Sequence, residues 1–341
     1  MSPDVSVIIC SLNGAAGVER CLHTLAAQNT TARVELIVVD DGSIDDTSAV
    51  AGRHGATVIR HETNRGLAAS RNAGIRAAHG SIIAFLDDDC EADPYWIQHL
   101  LAAYVQDVVG VGGDASPIAG TGYISGFLRR NNPLAVLEME LARSNALRYR
   151  LWLYLRAQAT VTRRSSRRRV SSLLGANMSF RRDALLEVGL FDERFTFGAE
   201  ELDLCWRLGI RFPDRILIVE PAAAVSHRFQ PTVRDTLRRG RAYGRGSARL
   251  YRKWPRQRPT IFPFPFVEAI LVAAAFRKRQ LLGWAVLWPL IAYPSAARHA
   301  VRDRSPQPLV DAYLLLAQEH QTNVGFVQGL WEFRDFAPEP G

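Results

Sequence analysis

Ser81-Ile82-Ile83-Ala84-Phe85-Leu86-Asp87-Asp88-Asp89 is an apolar run that stops abruptly at three carboxylates. The β-branched and aromatic content of residues 81–86 predicts a buried strand, with the aspartates standing at its carboxyl end. In open α/β sheets, ligands gather at the carboxyl ends of the strands. Side chains alternate across a strand, so extended backbone continued through residue 89 would aim Asp87 and Asp89 one way and Asp88 the other. Two carboxylates on one side suit a hard divalent ion, Mg2+ or Mn2+, that keeps positions open for phosphate oxygens. Standing alone, three aspartates are more often a solvated turn or a helix cap, so the neighbouring segments carry the weight.

Upstream, short β-branched runs alternate with segments of helical period, the pattern of βαβ units around a mostly parallel sheet. Val5–Cys10 reads as the first strand, and Val18, Cys21, Leu22 and Leu25 then recur at helical spacing. A second strand, Glu35–Val39, runs into Asp40-Asp41-Gly42-Ser43, after which Asp45 or Asp46 can cap a helix. Gly42 permits a tight turn there, and a carboxylate at such a strand end can accept hydrogen bonds from a base or a ribose. Thr57–Arg60 makes a third strand and residues 66–79 an Ala-rich helix. The segment Asn64-Arg65-Gly66-Leu67-Ala68-Ala69-Ser70-Arg71-Asn72 opens that helix with a glycine, and its N-terminal N–H groups and arginines favour a diphosphate.

Downstream, Trp96, Leu100, Leu101 and Tyr104 mark a helix and Val108–Gly113 a Gly-rich strand. Residues 120–172 are polar, basic and aromatic, and their Arg163–Arg169 run reads as a mobile loop. An ordered unit resumes at Gly175, and Ile216–Val219 is strand-like.

With 341 residues, 48% hydrophobic and 22% charged, the chain can bury a sizeable core, which excludes the disordered and disulfide-stapled classes. Cys10, Cys21, Cys90 and Cys205 stand singly, without the paired spacing of a zinc or redox motif, and read as reduced core residues of a cytoplasmic protein. Val5–Cys10 is too short for a signal peptide and follows Asp4 rather than a basic segment. The net charge of +8 points to an anionic partner. It is concentrated: residues 129–169 carry 11 arginines against Glu138 and Glu140, and residues 234–258 carry 10 Lys or Arg against Asp235. Nucleic acid, a membrane surface and a diphosphate-bearing substrate all satisfy charge alone.

The order of Cys10-Ser11-Leu12-Asn13, Asp40-Asp41-Gly42-Ser43, Asn64-Arg65-Gly66 with Ser70-Arg71-Asn72, and Asp87-Asp88-Asp89 resembles the family 2 glycosyltransferases. The resemblance continues through Gly175-Ala176-Asn177-Met178, Gly189-Leu190-Phe191-Asp192-Glu193-Arg194-Phe195 and Glu200-Glu201-Leu202-Asp203-Leu204-Cys205-Trp206-Arg207, leaving 120–172 unmatched. It departs where the family usually has Pro-Thr-Tyr-Asn, here Cys10-Ser11-Leu12-Asn13, and where it has Glu-Asp, here Glu200-Glu201.

The resemblance implies an α/β fold of the GT-A type, a Rossmann-like, mostly parallel sheet flanked by helices with a helical C-terminal appendage. It implies an inverting, metal-dependent transfer from a nucleoside-diphosphate sugar, UDP being the commonest leaving nucleotide, with Mn2+ or Mg2+. Ser11, Asn13, Asp40, Asp41, Arg65, Arg71, Asp87, Asp88, Asn177 and Arg207 then fall at the donor, and Asp87, Asp89 and His227 at the metal. Glu201 takes the place of the catalytic base, with Glu200 beside it and Asp203 in the same turn, and Asp203 can pair with Arg207 four residues on. A helix start would ease the ionisation of this pair through the helix dipole. The implied organisation is a sugar-nucleotide half over 1–115, an acceptor and catalytic-base half with the basic insertion over 116–255, and a helical, membrane-associating region over 256–341.

In that last region, Ala269–Phe276 and the uncharged run Leu281–Ala297 flank Arg277-Lys278-Arg279. The uncharged run contains Pro289 and Pro294 and falls short of the roughly 20 apolar residues of a spanning helix. Two readings stay open: a helix in the membrane interface, or a buried helical hairpin. The first makes an anionic surface on the cytoplasmic face and a lipid-linked acceptor the partners; the second leaves the acceptor soluble. Cell-surface polysaccharide, glycolipid and natural-product glycoside are the product classes in view. Two other functions compete. A nucleotidyltransferase would need a lysine-bearing triphosphate loop, and Ser11–Gly17 has neither Lys nor Arg. A nucleic-acid-binding protein would explain the basic runs but not the ordered acids, and no nucleic-acid module is recognisable.

Overall fold

A computed structural model of the chain describes residues 2–134, 137–160, 166–196 and 198–338. The β-branched runs become strands: β1 (Val5–Ser11), β2 (Val34–Asp40), β3 (Thr57–Arg60), β4 (Ile82–Leu86), β5 (Cys90–Ala92), β6 (Val108–Pro117), β7 (Arg168–Val170), β8 (Asn177–Arg181) and β9 (Ile216–His227). The helices of the first half are α1 (Ala15–Ala26), α2 (Thr47–Arg53), α3 (Leu67–Ala77), α4 (Trp96–Ala102), α5 (Tyr123–Arg130), α6 (Leu137–Leu141) and α7 (Leu147–Ala159). Those of the second are α8 (Arg182–Glu187), α9 (Glu200–Arg211), α10 (Val233–Lys253), α11 (Phe264–Ala275), α12 (Leu282–Ala292), α13 (Pro294–Arg302) and α14 (Asp311–Glu332).

The chain divides into two units, the first made of Met1–Ile118, Leu134–Met139 and Arg164–Phe229. Its sheet runs β3-β2-β1-β4-β8-β6-β9-β5, with β7 on β9. β3, β2, β1 and β4 are parallel, so the fold class stands, but the parallel order ends at β4 because β8 runs antiparallel to both β4 and β6. Both faces of β1 are covered: Val5, Val7 and Ile9 join one apolar cluster and Ile8 the other. This is why β1 reads as a continuous hydrophobic run rather than an alternating one. Val18, Cys21, Leu22 and Leu25 seal the first face from α1; Ile75 of α3 and Leu204, Cys205 and Leu208 of α9 seal the second. Each such fully buried side chain contributes roughly 1.5–3 kcal/mol, less for the smaller thiols.

One local expectation narrows to one of its alternatives and another changes. Asp46 sits at the N-cap of α2 without a side-chain cap, and Asp45 Oδ1 instead accepts from the Thr47 N–H at 3.1 Å. Of the arginine run expected to be a mobile loop, residues 163–165 lie outside the described residues, and Arg168–Val170 is strand β7, its backbone paired to β9 whatever its side chains.

The second unit comprises Ala119–Pro133, Glu140–Arg163 and Gln230–Gly341 and is helical. α10 and α14 meet at glycines: a Cβ on Gly244 would lie 2.0 Å from the Thr322 carbonyl, and one on Gly325 2.1 Å from that of Arg241. Much of the basic run on α10 is spent within the unit, in Arg239–Asp235 and Arg245–Glu332 ion pairs and an Arg241–Gln328 hydrogen bond. The hairpin of α11 and α12 is buried on one side only, through Phe264, Ala275, Ala285 and Ala292. Phe266, Ile270, Phe276, Leu282, Trp284 and Ile291 are all exposed, and Arg277, Lys278 and Arg279 are exposed in the turn between the helices. Among the described residues no helix is long and apolar enough to cross a membrane.

Candidate active site

The carboxyl ends of β1, β2 and β4 lie on one edge of the first unit's sheet, and the acids cluster there. β4 ends at Leu86, and Asp87–Cys90 form a turn closed by the Cys90 N–H donating to the Asp87 carbonyl at 3.0 Å. Strand alternation therefore does not carry through the three aspartates, and each meets a different partner. Asp87 faces Arg71 at 3.7 Å, Asp88 accepts from the Ser11 hydroxyl, and Asp89 lies 3.1 Å from His227 Nε2. Asp87 and Asp89 thus share a turn but not a partner, against the expectation that they point one way.

Burial pushes the Asp88 carboxyl up to about 6 against the Ser11 hydrogen bond, with Asp87 adding repulsion. Asp87 is likewise raised by burial, and the nearby Arg71 cation only partly offsets this. Both side chains keep some accessible surface although burial dominates their titration. Gly14 is required by that crowding: a Cβ there would fall 2.2 Å from Asp88 Oδ2.

The acid pair at the end of β2 builds the loops. Asp40, fully buried, accepts from the Ser43 N–H at 2.8 Å, from the Ser48 hydroxyl and from Arg60. Burial raises its pKa, but these donors outweigh it and hold the carboxyl below the usual carboxylate range. Asp41 accepts from the Arg65 and Gly66 N–H groups, both at 2.9 Å, and contacts His61 Nδ1 at 2.7 Å. Its oxygens therefore fix the entry to α3, where Gly66 adopts φ +90°. Asn13, at φ 56°, clasps the same loop: its N–H donates to Ser43 Oγ, and its Oδ1 accepts from the Ile44 N–H, both at 2.8 Å. The Arg65 side chain is half exposed, 3.4 Å from Glu193.

Arg71 does not reach outward to a diphosphate as expected. It is buried, donating to Glu200 at 2.7 Å and to the Gly175 carbonyl at 3.1 Å, with its guanidinium over the rings of Phe85 and Phe191. Asn177 and Arg207, also expected at the donor, are spent in the core. Asn177 donates both amide hydrogens, to the Asp114 and Ala223 carbonyls at 2.9 Å, accepts from Trp96 Nε1 at 2.9 Å, and is fully buried away from a ligand. Arg207 pairs with fully buried Asp203 at 2.9 Å and donates to the Val188 and Leu190 carbonyls, so both residues brace α9 rather than face a substrate. The Phe191–Glu193 segment is tied to α3, through reciprocal Asn72–Phe191 bonds and Glu193 contacts to Asn72 and Arg76.

α9 begins after Ala199, a non-glycine residue held at φ 68°, a conformation costing on the order of 1–3 kcal/mol that clusters at functional sites. Glu200 and Glu201 follow in the first turn. Glu200 is ion-paired and buried; Glu201 stays partly accessible, its carboxyl near Arg71 and Gly175. Burial first, and the adjacent Glu200 charge second, push the Glu201 carboxyl up to about 8. The helix dipole, expected to ease its ionisation, is outweighed by these two effects. The two neighbouring carboxyls thus sit in different environments, Glu200 buried against Arg71 and Glu201 partly accessible.

His227 does not follow β9 but ends it, stacked on Phe229 with ring centroids 4.1 Å apart. Asp89, Cys90 and His227 offer ligand atoms that all lie within 4.8 Å of one another. A carboxylate oxygen and an imidazole nitrogen, 3.1 Å apart beside the other two aspartates of the turn, are donors a divalent cation accepts. Cys90 escaped the sequence reading, since nothing local marks it and only the pairing of β5 with β9 brings it to His227.

Comparison with known proteins agrees with this architecture. The family model described as "Glycosyl transferase family 2" matches residues 6–188, including the whole 120–172 stretch that the sequence motifs left unmatched, and a second, "Glycosyl transferase family group 2", matches 146–301. The chain is 32% identical over 258 residues to a pre-mycofactocin glycosyltransferase of Mycobacterium tuberculosis, covering 74% of this chain and 48% of that protein. It thus spans about half the length of that relative. It is 27% identical over 239 residues to a glucosyl-dolichyl phosphate glucuronosyltransferase of Haloferax volcanii, covering 66% and 69% of the two chains. Among solved structures, the mannosyltransferase PcManGT from Pyrobaculum calidifontis, in complex with GDP-Man and Mn2+, aligns over 97% of this chain and 88% of that one. Its TM-score is 0.58 at 18% identity, a likeness of fold.

Proposed function

The chain belongs to glycosyl transferase family 2, and from that premise we propose that it transfers a sugar from a nucleoside-diphosphate donor to an acceptor hydroxyl with inversion. The observation that carries this reading is the juxtaposition, in one unit, of the Asp87–Asp89 turn, the Arg71–Glu200 ion pair and the partly accessible Glu201. Glu201 takes the proton of the acceptor hydroxyl as that oxygen bonds to the anomeric carbon and the bond to the nucleotide breaks. Arg71 engages Glu200 in a buried ion pair, which leaves the partly accessible Glu201 as the member of the pair that meets an acceptor hydroxyl. Ser11, Asn13, Asp41 and Arg65 shape the nucleoside side, Asp41 by holding the loop that bears Arg65. Asp89 and His227 would hold Mn2+ or Mg2+, with Asp87 and Asp88 in the same turn. Bound there, the cation would neutralise charge on the departing diphosphate.

A UDP-sugar is the first donor to test, with dTDP- and GDP-sugars as alternatives. A panel of nucleotide sugars incubated with the protein and Mn2+, read as release of free nucleotide without acceptor, tests the reading. Metal-dependent release from one donor class is expected, and no release or binding with any donor would overturn it.

The exposed apolar faces of α11 and α12, with Arg277, Lys278 and Arg279 between them, support peripheral attachment to an anionic membrane. Each basic residue near such a surface adds about 1 kcal/mol. A lipid-linked acceptor fits this, as does the dolichyl phosphate in the name of the Haloferax relative.

A further inference from the structure

We propose that Cys90 is a third protein ligand of the cation site and lets that site take soft divalent ions, Zn2+ and Cd2+, in competition with Mn2+. The proposal rests on the reading of Asp89 and His227 as cation ligands. β5 and β9 are antiparallel with Cys90 directly opposite His227, and residues so paired project from the same face with Cβ atoms about 4.5–5.5 Å apart. Asp89 precedes Cys90 in the chain, and the Arg228 N–H donates to its carbonyl at 2.9 Å, carrying the pairing one residue further. Arg228 also pairs with Glu91 across the two strands at 2.7 Å, which pins the register. His227 is held by its stack on Phe229. The carboxylate oxygen, the sulfur and the imidazole nitrogen therefore converge within 4.8 Å on a fixed two-stranded frame. No other group of three such side chains converges among the described residues.

An oxygen, a nitrogen and a sulfur are a donor set for zinc, with bonds of about 2.0–2.3 Å, whereas Mn2+ and Mg2+ favour oxygen and leave sulfur aside. A soft ion would draw in Cys90, exchanging the thiol proton for a metal–sulfur bond and releasing one proton to the buffer. Cys90 bound in this way would compete with diphosphate oxygens for a soft ion, which it would not do for a hard one. The site is therefore selective through which ligands each ion recruits: Asp89 and His227 for Mn2+, and Cys90 in addition for Zn2+ or Cd2+.

The test is the absorption spectrum of the full chain titrated with Co2+. A sulfur-to-cobalt charge-transfer band in the near ultraviolet is expected, lost in Cys90→Ser and kept in a Cys21→Ser control. Calorimetry should show Cd2+ affinity falling by about tenfold or more in Cys90→Ser with Mn2+ affinity little changed. Co2+ binding without a charge-transfer band in the unmodified protein overturns the role of Cys90 while leaving the Asp89–His227 site standing, and it needs no variant to fold. Absence of any Co2+, Cd2+ or Mn2+ binding overturns both.

Discussion

Replacing Glu200 by Gln removes the like charge beside Glu201 while keeping an acceptor for Arg71. In the unmodified protein Glu201 is held up to about 8, so about a tenth of it is ionised at pH 7. A general base acts only when ionised, and kcat/KM reports the free enzyme, so kcat/KM should fall nearly tenfold per pH unit well below 8 and level off above it. After Glu200→Gln, the second-largest influence raising Glu201 is gone and Arg71 is left with less negative charge to balance, both of which lower its pKa. A fall of one unit, about 1.4 kcal/mol of repulsion relieved, makes half of Glu201 ionised at pH 7 and raises kcat/KM there roughly fivefold relative to its plateau. The assay is nucleotide release against pH with the responsive donor, on protein shown to be folded by circular dichroism. Removing one partner of a buried pair can cost on the order of 3–5 kcal/mol of stability. Glu201→Gln in the same assay should lose about a hundredfold or more and its pH inflection, with donor affinity intact. A larger loss in Glu200→Gln than in Glu201→Gln, or an inflection that survives Glu201→Gln, refutes the assignment.

Asn177→Ala leaves the Trp96 indole N–H and two carbonyls without their partner, so unfolding stability should drop by roughly 3–5 kcal/mol in urea titration; a loss under about 1 kcal/mol would contradict its structural role. In the helical unit, burial pushes Glu319 up to about 8 despite the hydrogen bonds it accepts from the Tyr154 hydroxyl, so the folded state keeps a proton that the unfolded state sheds above its ordinary value near 4.5. The protein therefore loses stability between about pH 4.5 and 8, and Glu319→Gln should melt higher than the unmodified protein at pH 8–9 but not at pH 4, a difference whose absence would refute the burial argument. Flotation on anionic liposomes at low salt should carry the protein upward, more weakly with Trp284→Ser or with Arg277, Lys278 and Arg279 all changed to Ala; protein that stays below the vesicles removes the membrane reading.

The strand ends were legible in sequence because apolar runs and acidic stops are local patterns, and β1 to β4 appear within a residue of where periodicity puts them. Roles at the site were harder to read, because a polar residue's type does not reveal whether distant neighbours have used its hydrogen bonds. Asn177 is engaged by Trp96 and Ala223, and Arg71 by Glu200, contacts set by tertiary packing. The turn at Asp87–Cys90 broke the alternation that an extended backbone would have kept. Cys90 and His227 meet only through strand register, which no local pattern encodes. Runs of apolar residues in α11 and α12 could equally be core or surface, and only the fold shows their faces exposed.

Calorimetric titration of UDP into the protein with Mn2+, and into Asp89→Ala under the same conditions, tests the central claim most directly. Mn2+-dependent binding to the unmodified protein and its loss in the variant are expected, since a carboxylate facing His227 has been removed. Binding of equal affinity in Asp89→Ala, or binding indifferent to Mn2+ in both proteins, would contradict a cation-assisted donor site at this turn.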